Sequence, residues 1–380
     1  MDARSSRRSF LAAGLALPAT AAASTPETPK IEYRTLGNTG LKVSSLGFGC
    51  MLASDPFVLE RAVDLGINYF DTARSYQAGN NERMVGAALK GKRDKVVLAS
   101  KTPGKTKEEV LRDLDTSLRE LGTDHLDILF LHNRNEPEAI TEEGLEAQQE
   151  AKKAGKIRFA GITFHFNMPA MLAHVLQLGQ CDVALASYNF TMQPEVGEAI
   201  RAARRKGMAI VAMKVMAGGY ARIQKGDRLY GQSPDHLTAR LRRPGAMLAA
   251  LKWVLRNESV DTAIIGMTDF DELEENMKAM SEPFREQDGR VLAAQLERIQ
   301  PLYCRMCGTC GGVCEQGVRV ADALRCLTYA DGYGQFALAR ERFLELGTGA
   351  VCRDCTACTV QCPNGVSVQA RLRYARELLS

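Results

Sequence analysis

The chain reads as an α/β protein, a closed (β/α)8 barrel followed by a small, α-rich domain dense in cysteine. Three observations lead there. Short continuous apolar runs alternate with longer amphipathic segments from Val43 to about Met280; these runs number eight; and nine of the 11 cysteines fall in the last 80 residues, where lysine is absent. The 380 residues carry 49 Lys+Arg against 45 Asp+Glu, a net charge of +4, with 45% hydrophobic and 25% charged residues. Such proportions are globular and exclude a disordered, collagen-like or coiled-coil chain. The near balance of charge provides no broad basic field, so nucleic acid is not an expected partner. Three regions follow: a signal and linker over 1–30, the barrel over 31–300 and the cysteine domain over 301–380.

The first region has a charged start, a short mild apolar stretch and an Ala21-x-Ala23 cleavage pattern. Its uncharged part, Phe10 to Ala23, has 14 residues and contains Pro18, too short for a membrane span of about 20 apolar residues. Within it, Ser6-Arg7-Arg8-Ser9-Phe10-Leu11 resembles the twin-arginine export signal, which implies a periplasmic protein exported already folded. A generic secretory signal with two adjacent arginines is the other reading. No membrane span is expected in the mature chain.

Next, Leu36-Gly-Asn-Thr-Gly40 between two short extended runs predicts a hairpin that caps the N-terminal end of the barrel. The eight runs are Val43 to Cys50, Asn68 to Ala73, Lys95 to Lys101, Leu126 to His132, Arg158 to Phe164, Val183 to Phe190, Ala209 to Met216 and Thr262 to Met267. Several are apolar without alternation, as strands buried on both faces of a parallel sheet must be. Between them, Lys107 to Leu121 places Val110, Leu114, Leu118 and Leu121 on one helical face and stops at Gly122. Eight βα units in about 240 residues suit a closed barrel better than an open doubly wound sheet. After the seventh run, Ala217 to Arg243 lacks a clear period and is expected as a loop over the substrate.

In such a barrel the C-terminal strand ends form the mouth of the site, and there the sequence puts Asp71, Tyr76, Lys101 and His132. A carbonyl that accepts hydride needs a proton at its oxygen, and a phenol of ordinary pKa, about 10, is poorly matched to neutral pH. A Lys101 ammonium beside Tyr76 would stabilise the phenolate, Asp71 would hold that ammonium, and His132 would position the carbonyl. Each element also has a structural reading, as a buried ion pair or a satisfied core histidine.

In order along the chain, Phe70-Asp71-Thr72-Ala73-x-x-Tyr76, Glu82, Gly86, Ala99-Ser100-Lys101 and Leu131-His132 resemble the aldo-keto reductases. The opening Tyr33 to Gly49 and the later Ala263 to Met267 with Leu273-Glu-Glu-Asn276 are similar to that family too. The resemblance covers about residues 31 to 280 and implies a TIM barrel, a carbonyl or alcohol substrate, and nicotinamide dinucleotide, NAD(P)(H), as cofactor. It implies cofactor contacts at Thr163, Gly266 and Asn276, while Lys214 reads as a phosphate contact or a solvent-reaching strand-end lysine, and Gly218-Gly219 as a close backbone approach to a phosphate. Departures are visible: Phe164 stands where the family has Asn, Leu185 where it has Gln, and Asp269 and Asp271 where a basic residue usually meets the 2′-phosphate.

The last region contains Cys304-x-x-Cys307-x-x-Cys310-x-x-x-Cys314 and Cys352-x-x-Cys355-x-x-Cys358-x-x-x-Cys362-Pro363. Two copies of this run predict two [4Fe-4S] clusters, with the fourth Cys of each run on the other cluster. Cys304, Cys307, Cys310 and Cys362 then share one cluster; Cys352, Cys355, Cys358 and Cys314 share the second. The region resembles a bacterial dicluster ferredoxin with a helical insertion. Structural zinc and disulfides are the alternatives, and Cys50, Cys181 and Cys326 are left as buried apolar thiols. The expected function is an exported oxidoreductase on a small carbonyl or alcohol substrate, with clusters exchanging electrons with a redox partner protein. The alternatives are an electron-transfer or binding subunit with a vestigial barrel, and clusters that serve only as a clamp.

Overall fold

The computed structural model describes residues 30–218, 245–353 and 355–380. The signal assigned within 1–30 lies, but for Lys30, outside the described residues, as do Gly219 and nearly all of the Ala217–Arg243 loop. The chain begins with an antiparallel hairpin of β1 (Tyr33–Thr35) and β2 (Lys42–Ser44). Then come the eight barrel strands, β3 (Leu46–Gly49), β4 (Tyr69–Asp71), β5 (Val97–Thr102), β6 (Leu126–Leu131), β7 (Ile157–Phe164), β8 (Val183–Ser187), β9 (Ala209–Met213) and β10 (Thr262–Ile265). All pair in parallel with their sequence neighbours, and β10 closes onto β3. The run expected as one strand from Val43 is divided: Val43 and Ser44 belong to the hairpin, and the barrel strand starts at Leu46.

Helices α1 (Pro56–Asp64), α2 (Asn80–Ala88), α3 (Lys107–Leu121), α4 (Glu142–Lys153), α5 (Met168–Leu178), α6 (Pro194–Arg205), α7 (Ala246–Leu255) and α8 (Phe270–Met277) stand outside the strands, and α9 (Glu286–Ile299) packs on α7. The bounds of α3 match its sequence signals. Thr106 and Glu109 form a reciprocal capping box at its start, and Gly122 ends it in the left-handed region at φ 64°.

Strand parity separates two cores. Tyr69, Val97, Ala99, Ile128, Phe130, Leu185 and Val211 fill the barrel interior, while their neighbours Phe70, Leu98, Leu129, Ile162, Phe164 and Ala184 pack outward against the helices. The same parity carries the inward row of each strand up to Asp71, Lys101 and His132 at the mouth. Below, Leu36, Leu41 and Val43 plug the opposite end. Gly37 fits there because its backbone lies so close to the start of β9 that a Cβ would stand 2.5 Å from the Ala209 nitrogen. Its N–H donates to Asp261 at 3.1 Å, so the hairpin caps the barrel's N-terminal end as expected.

The C-terminal segment has a third core of its own. Helices α10 (Val320–Leu327), α11 (Phe336–Glu345) and α12 (Val368–Leu379) bury Leu324, Leu327, Ala339, Phe343, Leu372 and Leu379 together. A π-turn over Thr328–Gly332 continues α10, and its buried Asp331 pairs with Arg371 of α12 at 2.7 Å. Among the described residues no helix is long and apolar enough to cross a membrane.

Phe130 is wholly buried at the centre of the barrel, in a layer the neighbouring backbones cannot collapse to fill. Phe130→Ala is expected to lower the free energy of urea unfolding by about 3–5 kcal/mol, and a loss under about 1 kcal/mol would contradict this packing.

Candidate active site

At the mouth, the Lys101 ammonium makes three contacts. It forms an ion pair with the buried Asp71 carboxylate, donates to the Thr72 carbonyl at 2.7 Å, and donates to the Tyr76 hydroxyl at 3.1 Å. The ammonium also stands 4.7 Å from the Tyr76 ring centre. His132 meets that ring edge-on, with centroids 6.0 Å apart and planes at 81°. The four residues singled out from the sequence therefore converge on one point. Beneath them, buried Glu82 on α2 accepts from the Ser100 hydroxyl at 2.5 Å and pairs with Arg74. The strand carrying Lys101 and the loop between Asp71 and Tyr76 are thereby joined to one helix.

Electrostatics correct one expectation. Desolvation pushes the Tyr76 phenol above its ordinary value; Lys101 pulls it down, but not enough to offset burial, and Asp71 adds to the rise. Burial would lower the Lys101 pKa, yet Asp71 and Tyr76 together raise it. Both shifts favour the charged ammonium and the protonated phenol. His132 falls well below the usual imidazole value through burial and the nearby charges of Lys101, Arg342, Arg325 and Arg134. A neutral imidazole orients an oxygen without adding charge.

The residues expected to hold a dinucleotide are placed as follows. Thr163 lies at the mouth, where its hydroxyl accepts the Asn133 N–H at 2.7 Å and so ties β7 to the loop that follows His132. Lys214 is expected at a phosphate; its ammonium lies 5.1 Å from the ring centre of Tyr329, in the π-turn, near enough for its charge to act on that phenol. Gly218, also expected there, is covered by the π-turn: a Cβ on it would stand 3.0 Å from the Gly332 carbonyl. Gly266 follows β10 beside Leu52 and the Gly49 carbonyl. Asn276 is buried in α8, whose first turn holds Asp271 and Glu272 and is thus unfavourable to a phosphate. Phe164 faces the helix layer and Leu185 the barrel interior.

Two polar atoms at strand ends went unnoticed in the sequence. His165 Nδ1 and Ser187 Oγ are buried and have no hydrogen-bond partner among the described residues. They stand two residues beyond Thr163 and Leu185, so strand parity brings them inward at the mouth. His165 is close enough to Lys214, Arg325, His132 and Lys101 for their charges to act on it, and burial with those charges holds its pKa well below the ordinary value. These orphaned atoms fit the amide of a nicotinamide ring, which needs one acceptor and one donor. The signal was available in the alternation of β7 and β8.

The C-terminal segment docks on this same face, which the sequence did not disclose. Arg342 donates to the Ser75 carbonyl at 3.2 Å, Arg325 to the Asn133 side chain at 2.9 Å, and the Asn167 N–H donates to the Met306 carbonyl at 3.0 Å. All three barrel partners lie in loops after strands.

The cysteines divide into two sets. Cys304 is near enough to feel charge on Cys310, Cys307 and Cys362, and Cys352 to feel Cys358, Cys355 and Cys314. Gly311 and Gln361 exchange backbone hydrogen bonds of 2.9 and 2.8 Å, which join the two cysteine loops. One cavity is lined by Cys314, Cys352, Cys355 and Cys358. Among the described residues no group of three or more His, Cys, Asp or Glu stands ready to hold a single metal ion. Of the remaining thiols, Cys50 and Cys326 are buried, as expected, while Cys181 is only partly so.

The aldo/keto reductase family profile matches residues 55–295. The chain belongs to the aldo-keto reductase family. It is 31% identical to L-galactose dehydrogenase of Arabidopsis thaliana over 288 residues, 67% of this chain and 89% of that one. It is 24% identical to L-glyceraldehyde 3-phosphate reductase of Escherichia coli O157:H7 over 308 residues, 66% of this chain and 88% of the relative. Among solved structures, the holo form of aldo-keto reductase AKR11C1 from Bacillus halodurans superposes with a TM-score of 0.57 at 27% identity, covering 70% of this chain and 96% of that one. The protein is an oxidoreductase of the aldo-keto reductase type.

Both mouth histidines are neutral in the folded chain, with pKa values below the unfolded value of about 6.5. Below that pH the unfolded chain binds more protons, so this contribution to stability is complete above about pH 6.5 and is lost as pH falls. The double variant His132→Gln, His165→Gln is expected to lose less melting temperature than wild type between about pH 7.5 and about pH 5.5. Equal losses would contradict the assignment.

Proposed function

We propose that this reductase reduces a small carbonyl compound, or oxidises the matching alcohol, with Tyr76 as proton donor, Lys101 and Asp71 as its charged support and His132 as the group that orients the substrate oxygen. The observation that carries the reading is the single ammonium shared by Asp71 and Tyr76. Carbonyl reduction places negative charge on one oxygen. A protonated phenol at that oxygen, backed by a fixed ammonium and faced by a neutral imidazole, neutralises the charge as it forms. In the reverse direction the same phenol is reached as a base, because Lys101 stabilises the phenolate.

A nicotinamide dinucleotide would supply the hydride, and His165 Nδ1 with Ser187 Oγ would hold its carboxamide. Lys214 and Gly218 are already engaged by the C-terminal segment, so the phosphates would be met elsewhere.

Two [4Fe-4S] clusters fit the two cysteine sets, since their membership follows the cross-ligation expected from paired runs. A cubane spreads four thiolates over four irons, wider than the tetrahedron around one ion. The clusters would supply one-electron transfer. The contact of Asn167 with Met306 sets the first cysteine loop against the barrel mouth, which supports electron exchange between a redox partner protein and the site. The twin-arginine signal in 1–30 supports a periplasmic location, with folding and cluster insertion before export.

Tyr76→Phe is expected to lower kcat/KM for aldehyde reduction with NADPH or NADH by on the order of 10²- to 10⁴-fold; turnover close to wild type would refute the role. Anaerobically purified protein should carry about eight iron and eight sulfide per chain, and Cys362→Ser about half of each. Stoichiometric zinc, or loss of signal from both clusters in Cys362→Ser, would count against this ligation.

A further inference from the structure

The mouth holds a second phenol and ammonium that the reaction above does not use. Tyr329 projects from the π-turn of the C-terminal segment, half-buried, and Lys214 follows β9 of the barrel. Their contact crosses the junction of the two parts. Lys214 adopts a left-handed backbone, φ 56°, as does Ala217 at 55°, conformations that are strained for residues with a side chain. π-turns within helices recur at functional positions because they re-aim a side chain. Here the turn brings Tyr329 near enough to Tyr76 for a charge on one phenol to oppose charge on the other.

We propose that Tyr329, held by Lys214, is a substrate-positioning and specificity-determining residue of this active site, supplied by the C-terminal segment. It receives a hydroxyl carried by the substrate beside the carbonyl that faces Tyr76 and His132. The favoured substrate class is therefore a hydroxy-carbonyl compound rather than a simple aldehyde. This rests on the reductase reading given above.

The surroundings of the two phenols differ in a way that suits the division. Burial would raise Tyr329, but Lys214 and Arg325 outweigh it and hold the phenol below its ordinary value, against opposition from Cys326. Tyr76 is pushed the other way. Tyr333, the neighbouring ring at 6.1 Å, is raised far by burial and stays neutral. Paired groups whose environments separate their pKa values take different parts in one reaction: Tyr76 holds its proton more tightly, and Tyr329, the more acidic phenol, is the stronger hydrogen-bond donor toward a substrate hydroxyl. A site built to bond a hydroxyl discriminates against an analogue that lacks it, because its own polar group is then left unpaired.

The experiment uses the full chain with its clusters, NADPH or NADH, and two probes, glyceraldehyde and propanal. Wild type is expected to favour glyceraldehyde, and Tyr329→Phe to lower the ratio of the two kcat/KM values by about tenfold. Lys214→Met should act in the same direction and Lys214→Arg should restore the ratio. Independently of turnover, the ultraviolet tyrosinate titration of wild type should contain a phenol that ionises ahead of the others, absent in Tyr329→Phe and shifted to higher pH in Lys214→Met. An unchanged ratio in Tyr329→Phe, or a titration indifferent to both substitutions, overturns the proposal. Absence of turnover with both probes overturns the substrate assignment together with the reductase reading, and Tyr76→Phe separates the two, since it disables reduction without removing the early-ionising phenol.

Discussion

One buried ammonium organises the mouth of this barrel. Lys101 stands between Asp71 and Tyr76, and a charge at that depth persists only because a carboxylate faces it. The position of that carboxylate is set by β4, that of the ammonium by β5, and that of the phenol by the loop after β4. The parallel pairing of the two strands, with Asp71 opposite Ala99, therefore fixes the reach from Asp71 to Lys101. Glu82 and Arg74 brace the same loop from below. The barrel supplies rigidity, and the ion pair holds the Tyr76 hydroxyl in a defined position.

The C-terminal segment changes what the barrel presents. Its helices have a core of their own, but it reaches loops after four of the strands through the Arg342 and Arg325 side chains, the Met306 carbonyl and the Tyr329 turn. Lys214 and Gly218, residues that in isolation resemble phosphate contacts, are taken up by this docking. The cysteine loops come with it, so the parts that would carry electrons and the parts that would carry a proton lie on one face. The atoms of His165 and Ser187 that have no partner among the described residues lie on that face, where a ring amide could satisfy them.

Much of this was legible in the amino-acid order. The eight strands were visible because a sheet buried on both faces needs continuous apolar runs, and α3 because its cap, stripe and terminal glycine agree. Asp71, Lys101 and His132 were legible as polar residues at the ends of apolar strands, and Tyr76 in the loop after the first of them. The two cysteine runs were legible in their spacing. What failed to show was of another kind. The net direction of the Tyr76 shift depends on how far burial outweighs one ammonium, which no motif encodes. The use of Lys214 depends on a tyrosine more than a hundred residues away, and such contacts leave no periodic trace. His165 and Ser187 were within reach of strand alternation, but they differ from the residue types that the family resemblance put in mind.

The central claim is that Tyr76 works through Lys101. A double-mutant cycle on aldehyde reduction, with Tyr76→Phe, Lys101→Met and the two combined, measures that coupling directly. If the ammonium acts through the phenol, the double variant is no slower than Tyr76→Phe alone. Losses that multiply, each substitution costing its full factor in the presence of the other, would show two independent contributions and contradict the account.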